Sequence, residues 1–374
     1  MKYETIINGK KVKFEIKREF SKVPYNEALS KLANNALKST KDNNVAQICR
    51  SFLARDAENF YGHCRKIIEN KLIEVMKVHP ELITSDNFEI EVTYSSEING
   101  FIGEYNRKLS SINKVCFIFY LLQLFEYFLF HGESSIANTV YHEFAHHLDR
   151  NFSRKIDILH NRIKNSVENN NYASHYTILS LYIIKIFESI RNEAISTFFG
   201  YYKSKRVIFF RNMETKLLEE LELLLDKNAS AKNLLHSFEH GAIPYQIGES
   251  MTGIIILDYL VKKGKGNLVW ITLKGRLFRL FGKKEADISQ IKHYYGKKEF
   301  ELHFQEDSEI DKIVYKTLNE IKKLSHIGFI KVYESACLEL GCNPIISWDL
   351  YKYYRKKYWE IGQKKLSQQN ESKN

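Results

Sequence analysis

The chain has 374 residues, 44% of them hydrophobic and 13% aromatic, too much apolar material for a disordered polymer and enough length for two or three domains. Lysine and arginine outnumber aspartate and glutamate by 56 to 45, and the net charge of +11 is compatible with nucleic acid, with an acidic protein or with a lysine-rich surface. Five cysteines, Cys49, Cys64, Cys116, Cys337 and Cys342, are odd in number and include no CxxC pair, so reduced thiols and a cytoplasmic setting are expected.

Only four prolines interrupt long segments of mixed apolar and charged residues, and the expected fold is α+β and mainly helical. Residues 1–5 lack the apolar core of an export signal. Alternating runs at 3–7 and 12–16 flank Asn8-Gly9, which predicts a hairpin. Helical patterns fill 25–78. Three runs rich in β-branched and aromatic residues, 88–94, 100–105 and 114–120, predict strands, and one of the last two is expected to be the edge that could pair with an extended peptide. The most apolar stretch, 115–130, is 16 residues long and contains Gln123 and Glu126, whereas a membrane span needs about 20. Burial inside the protein, with no membrane insertion, is the expectation. Segment 178–190 is also apolar, but Lys185 and Glu188 make it read as an amphipathic helix.

The next predicted helix, 136–149, contains His142-Glu143-Phe144-Ala145-His146, with Ser134 and Ser135 after Gly132 as N-cap candidates. Four residues is about one helical turn, so both imidazoles point the same way and can hold one Zn²⁺, while Glu143 is placed to take a proton from water on the metal. Ile136, Ala137, Val140, Tyr141, Phe144, Ala145 and Leu148 form an apolar side, and His142, His146 and Asp149 lie opposite. A catalytic zinc site takes a third protein ligand and keeps one position open. Glu193, in a second long helix expected over 176–199, is the leading candidate, with Glu188 and Asp149 as rivals. Asp149 also suits the role of an acceptor that fixes the tautomer of a ligating imidazole.

This pattern resembles the gluzincin metallopeptidases, of which thermolysin is the familiar member. In that family the two motif histidines and a glutamate within Asn-Glu-x-x-Ser-Asp bind zinc, and Asn192, Glu193 and Ser196 match residue by residue. The resemblance implies a zincin-like catalytic domain with a small mixed sheet and an active-site helix, followed by a helical C-terminal domain. It implies His142, His146 and Glu193 as zinc ligands, Glu143 as general base and then proton donor, and a peptide or protein substrate. Thr197 stands where the family has an aspartate supporting a zinc-bound histidine. His146 and Glu193 are 47 residues apart, more than in thermolysin-like enzymes, so an inserted segment is expected to loop out, for which 151–171 is suited. The run His142-Glu143-Phe144-Ala145-His146-His147-Leu148-Asp149 also resembles the Mlc titration factor A peptidases locally. Glu193-Ala194 is similar to the pair in helix-turn-helix-associated zincins that cleave repressors. The resemblance covers about 88–200 and names a superfamily rather than a substrate.

Beyond residue 200, helices are expected at 213–225 and 250–261, with a loop from His240 to Gly248 between them. His240 and Tyr245 in that loop are candidate stabilisers of a tetrahedral oxyanion, against the plainer reading of a turn before a helix. Lys262, Lys263, Lys265, Lys274, Arg276, Arg279, Lys283 and Lys284 crowd one stretch, and Tyr351-Lys352-Tyr353-Tyr354-Arg355-Lys356-Lys357-Tyr358-Trp359 interleaves bases with aromatics. These are either solvated helix faces, the favoured reading, or a surface for nucleic acid. Residues 363–374 read as a frayed polar tail. The expected organisation is an N-terminal hairpin and helical region at 1–86, a catalytic core at 87–200 and a mainly helical region at 201–374. A zinc metallopeptidase is the leading function, and a non-catalytic scaffold binding nucleic acid or protein is the competing class; oligomeric state is not legible.

Overall fold

A computed structural model describes the chain except for residues 20–21, 24–25, 98–101, 169–172, 204–207, 212–213, 226–242, 266–268, 274–275, 280–298, 305–307, 342–343, 345 and 372–374. The fold is α+β and mainly helical, and it divides into two compact units, Met1–Arg150 and Asn151–Asn374.

In the first unit, β1 (Lys2–Ile7) and β2 (Lys10–Glu19) form the expected hairpin, with Asn8 and Gly9 both at positive φ as a two-residue turn of this kind requires. Helices α1 (Glu27–Ser39), α2 (Asn43–Leu53) and α3 (Ala57–Val78) follow, their N-termini capped by the side chains of Asn26, Asp42 and Asp56. The chain then adds β3 (Asn87–Ser95), β4 (Gly103–Tyr105) and β5 (Lys114–Tyr120) to give a mixed sheet of order β1-β2-β3-β5-β4. Strands β2, β3 and β5 are parallel, and β4 runs antiparallel to β5 at the edge. One sheet face is apolar: Phe14, Ile90 and Val115 share a row, as do Ile16, Val92 and Phe117, all buried. The other face is laddered with charge, Glu91 accepting from Lys17 at 2.6 Å and from Lys114 at 2.8 Å. Burial works to raise the Glu91 carboxyl, but these two ammonium groups hold it below the usual range.

The apolar run at 115–130 divides at Tyr120, where β5 passes into α4 (Leu121–His131). Phe125 of α4 packs against Phe52 and Phe60 at ring distances of 4.7 and 5.3 Å. Gly132 alone separates α4 from α5 (Glu133–Leu148); at φ 70° and ψ −166° it makes a corner that a side chain would resist. The helix thus starts one residue before the serines read as caps. Ser134 and Ser135 fall in its first turn, and no side chain caps it.

The edge strand lies along α5. A methyl group on Gly103 would stand 3.0 Å from Thr139 Cγ2 and 3.1 Å from the Phe119 ring, so a side chain on β4 would fit only if those neighbours gave way.

The second unit begins with α6 (Arg150–Glu168), a helix where the composition suggested a loop; Ile156 and Ile163, two turns apart, supply a buried stripe under a charged exterior. Next come α7 (Ala173–Lys203), β6 (Ile208–Arg211), α8 (Glu214–Leu225) and α9 (Ile243–Lys262). Helix α9 starts seven residues earlier than expected, with Pro244 near its start, where a missing N–H costs nothing. Strands β7 (Val269–Leu273), β8 (Arg276–Arg279) and β9 (Glu299–Phe304) complete an antiparallel sheet of order β6-β9-β7-β8 inside a region expected to be helical. Helices α10 (Ser308–Lys322), α11 (His326–Leu340) and α12 (Trp348–Glu371) close the unit. Among the described residues, no helix is long and apolar enough to cross a membrane.

Cys49, Cys64, Cys116 and Cys337 are buried free thiols, and burial pushes Cys49 up to about 11 and Cys64 up to about 12, which suits packing rather than reactivity. Cys342 lies outside the described residues.

The contact under β4 is open to test. Gly103→Ala should destabilise the protein by about 1–3 kcal/mol in urea unfolding, and Thr139→Ala in the same chain should recover part of the loss by removing the obstructing methyl. A single variant as stable as wild type would refute the close approach.

Candidate metal centre

Helix α5 has few solvent-facing positions. Ile136, Val140, Tyr141, Phe144 and Ala145 are buried as the apolar stripe requires, but so are Glu143, His146, His147 and Asp149, and only His142 of the motif is partly exposed. Burying polar groups on that scale costs free energy unless each finds a partner. Strand β4 and the helix itself supply several of those partners.

His142 and His146 face one another with Nε2 atoms 3.0 Å apart and ring planes at 88°. Tetrahedral zinc with nitrogen at about 2.0–2.1 Å would set two such atoms about 3.3 Å apart, so the pair needs little adjustment to share one ion. Glu193, half-buried on α7, offers the third donor: one ligand atom from each of His142, His146 and Glu193 lies within 4.8 Å of the other two. Two neutral imidazoles and one carboxylate are a donor set that catalytic zinc takes, leaving a position open.

Glu143 points toward the edge strand. Its Oε2 accepts from the backbone N–H of Tyr105 at 2.7 Å, a buried bond that fixes the carboxylate through one of its two oxygens. The ladder explains why that N–H is available. Asn106 N–H donates to the Cys116 carbonyl and Tyr120 N–H to the Ile102 carbonyl, so positions 102, 104 and 106 bond inward to β5, and Gly103 and Tyr105 turn their backbone groups outward. Of the two edge candidates in the sequence, the first provides the edge through Gly103–Tyr105 and the second, 114–120, the interior strand.

Tyr105 makes a second link, its hydroxyl 3.3 Å from His147 Nδ1 with the rings at 69°. Nothing in the sequence singles out His147 for this role. It follows two motif histidines and looks like a third of their kind, yet at 1% exposure, between Tyr105 and Phe88, it is a core side chain.

The rival ligands part company. Glu188 is engaged elsewhere: its Oε1 sits 3.0 Å from His326 Nδ1, and His326 Nε2 sits 3.2 Å from the Tyr351 hydroxyl. The carboxylate accepts from Nδ1–H and the Tyr351 hydroxyl meets Nε2, and burial raises that phenol above its usual range. Neither His326 nor Tyr351 stands out in the sequence as a partner of Glu188, because the first is 138 residues away and nothing local marks it. Asp149 is buried at the C-cap of α5, one turn beyond His146.

Of the downstream candidates, Tyr245 lies in the first turn of α9 and is half-buried, while His240 lies outside the described residues. Asn192 and Ser196, the neighbours that carry the family likeness of Glu193, are both fully buried, as is Thr197.

Comparison with protein-family models, curated proteins and solved structures found no match for this chain.

The three acids should behave differently in zinc retention by the purified protein. Glu193→Ala should lose most of the metal and Asp149→Ala should weaken binding about 10- to 100-fold. Glu188→Ala should keep the metal but lower unfolding stability by about 1–3 kcal/mol, because it strips His326 of its acceptor. Metal loss in Glu188→Ala with retention in Glu193→Ala would exchange their roles.

Proposed function

We propose that the protein is a zinc-dependent metallopeptidase of the gluzincin type, with a zincin-like catalytic domain in which His142, His146 and Glu193 hold the metal and Glu143 is the general base. The observation that carries this reading is the convergence of those three donors beside a glutamate whose carboxylate is fixed by a sheet edge. Zinc bound there supplies Lewis-acid polarisation of the scissile carbonyl and acidifies water.

The chain's own groups account for the remainder of the reaction. An extended peptide lies along β4, pairing with the outward backbone of Gly103 and the Tyr105 carbonyl while the Tyr105 N–H stays on Glu143, and is thereby aligned beside that carboxylate. Glu143 Oε1 takes a proton from the attacking water while the Tyr105 N–H restrains Oε2, and the same carboxyl then passes the proton to the leaving nitrogen. Tyr245 remains a candidate for the oxyanion, as a phenol on a helix of the second unit.

The reading makes two joined demands. Elemental analysis of purified protein should give about one zinc per chain, lost in the His142→Ala, His146→Ala double variant. Glu143→Gln should keep zinc and fold while peptide cleavage falls about 10²- to 10⁴-fold, since an amide cannot take the water's proton. Zinc-loaded wild type that cleaves no protein or peptide, yet binds nucleic acid in a salt-sensitive way, would replace the enzyme with a binding scaffold.

A further inference from the structure

Among the described residues, helix α9 packs along α7 more extensively than any other pair of helices does. At Gly248 the two backbones meet. A methyl group there would stand 2.4 Å from the Ile190 carbonyl oxygen, 2.7 Å from the Ala194 nitrogen and 2.9 Å from the Ala194 Cα. All three are backbone atoms, so no side-chain rotation could relieve the overlap; the helix itself would have to move. Ile190 and Ala194 bracket Glu193, one a turn before it and the other its neighbour. Other bonds hold the same stretch of α7: the Arg191 guanidinium donates to the Lys322 carbonyl, and Glu188 is tied to His326.

We infer that Gly248 is a positioning residue for the metal centre, its missing side chain setting where the turn bearing Glu193 can stand. The inference rests on the reading of Glu193 as a zinc ligand. A glycine within a helix costs about 1 kcal/mol relative to alanine through backbone entropy. At Gly248 that cost is offset by an approach no other residue permits. Displacement of α7 by even a few tenths of an ångström would carry the Glu193 carboxylate beyond the tolerance of about 0.2 Å of a zinc–oxygen bond, and affinity would respond before the fold does.

The test is zinc affinity by competitive chelator titration of wild type, Gly248→Ala, Glu193→Ala and Leu257→Ala. Leu257 is a fully buried residue of the same helix, and its truncation supplies a control for loss of stability without pressure on the Glu193 turn. Gly248→Ala should bind zinc about 10- to 100-fold more weakly, the range seen when the groups supporting a ligand are altered, while Leu257→Ala stays within a few-fold of wild type at a similar loss of Tm. Wild-type affinity in Gly248→Ala, or equal weakening in both variants, would overturn the inference. Wild-type affinity in Glu193→Ala would instead overturn the ligand assignment beneath it. If Gly248→Ala does not fold, amide exchange on the wild-type chain decides. Adding zinc to metal-free protein should slow exchange in α9 around Gly248 as well as in α7, and protection of α7 without α9 would refute the coupling.

Discussion

A match of two repeats governs the first unit. Two residues of strand advance about 6.6 Å and four residues of helix about 6 Å, so a strand laid beside a helix can meet it at every second residue and every turn. Strand β4 does this with α5. Gly103 meets Thr139, and two residues later Tyr105 meets Glu143, four residues further along the helix. The absence of a side chain at position 103 lets the strand sit close against Thr139. The register depends on parity, because a slip of one residue would present Glu104, whose backbone bonds inward to β5, and take the Tyr105 donor away from the Glu143 carboxylate. Glu143, the edge strand and the Thr139–Glu143 turn of α5 are therefore one construction, and Tyr105 closes it through His147.

Helix α7 is held by the opposite device. Lys185, Glu188, Arg191, Asn192, Ser196 and Thr197 are all buried on it, and charges removed from water destabilise a fold unless they are paired. Three of them have distant partners: Lys185 meets His160 of α6 at 2.8 Å, Glu188 meets His326 of α11, and Arg191 meets the Lys322 carbonyl of α10. Apolar side chains would pack as well at several rotations of the helix, whereas these bonds form at only one. Glu193 differs from these neighbours in being only half-buried.

The basic and aromatic end of the chain has an account within the same unit. Tyr351, Tyr354 and Tyr358 are buried at spacings of three and four along α12, and Tyr358 donates to the Leu221 carbonyl and Tyr354 to Glu222 of α8. The greater part of the aromatic residues that could have stacked bases is thus core, leaving Tyr353 and Trp359 exposed. Lys262 bridges Asp258 and Glu339 at 2.6 Å each, and Lys265 pairs with Glu309. The remaining members of that basic stretch with described side chains offer only Lys263, over the Tyr259 ring. Residues 274, 283 and 284 lie outside the described residues.

Local signals in the sequence carry far and then stop at contacts. The hairpin at Asn8-Gly9, the three strands and the helix bearing the two histidines are legible because turn chemistry and periodicity are properties of neighbouring residues. The Asn-Glu-x-x-Ser context is what marks Glu193 as a candidate partner of that motif. The sheet β6-β9-β7-β8 is not. Its strands at 269–273 and 276–279 are only five and four residues long, and the arginines at both ends of the second, with Lys274 between the two, draw attention as charge. Segment 151–168 misleads for a related reason, since a charged, asparagine-rich composition hides the spacing of Ile156 and Ile163 that makes it a helix. Least legible are residues whose role is defined by a partner far along the chain. His147 looks like a ligand and is core; Gly248 looks like a loop glycine and is the point where two helix backbones touch. In both cases the chemistry of the residue is ordinary, and its meaning is supplied by the neighbours the fold brings against it, Tyr105 for the histidine and the Ile190–Ala194 turn for the glycine.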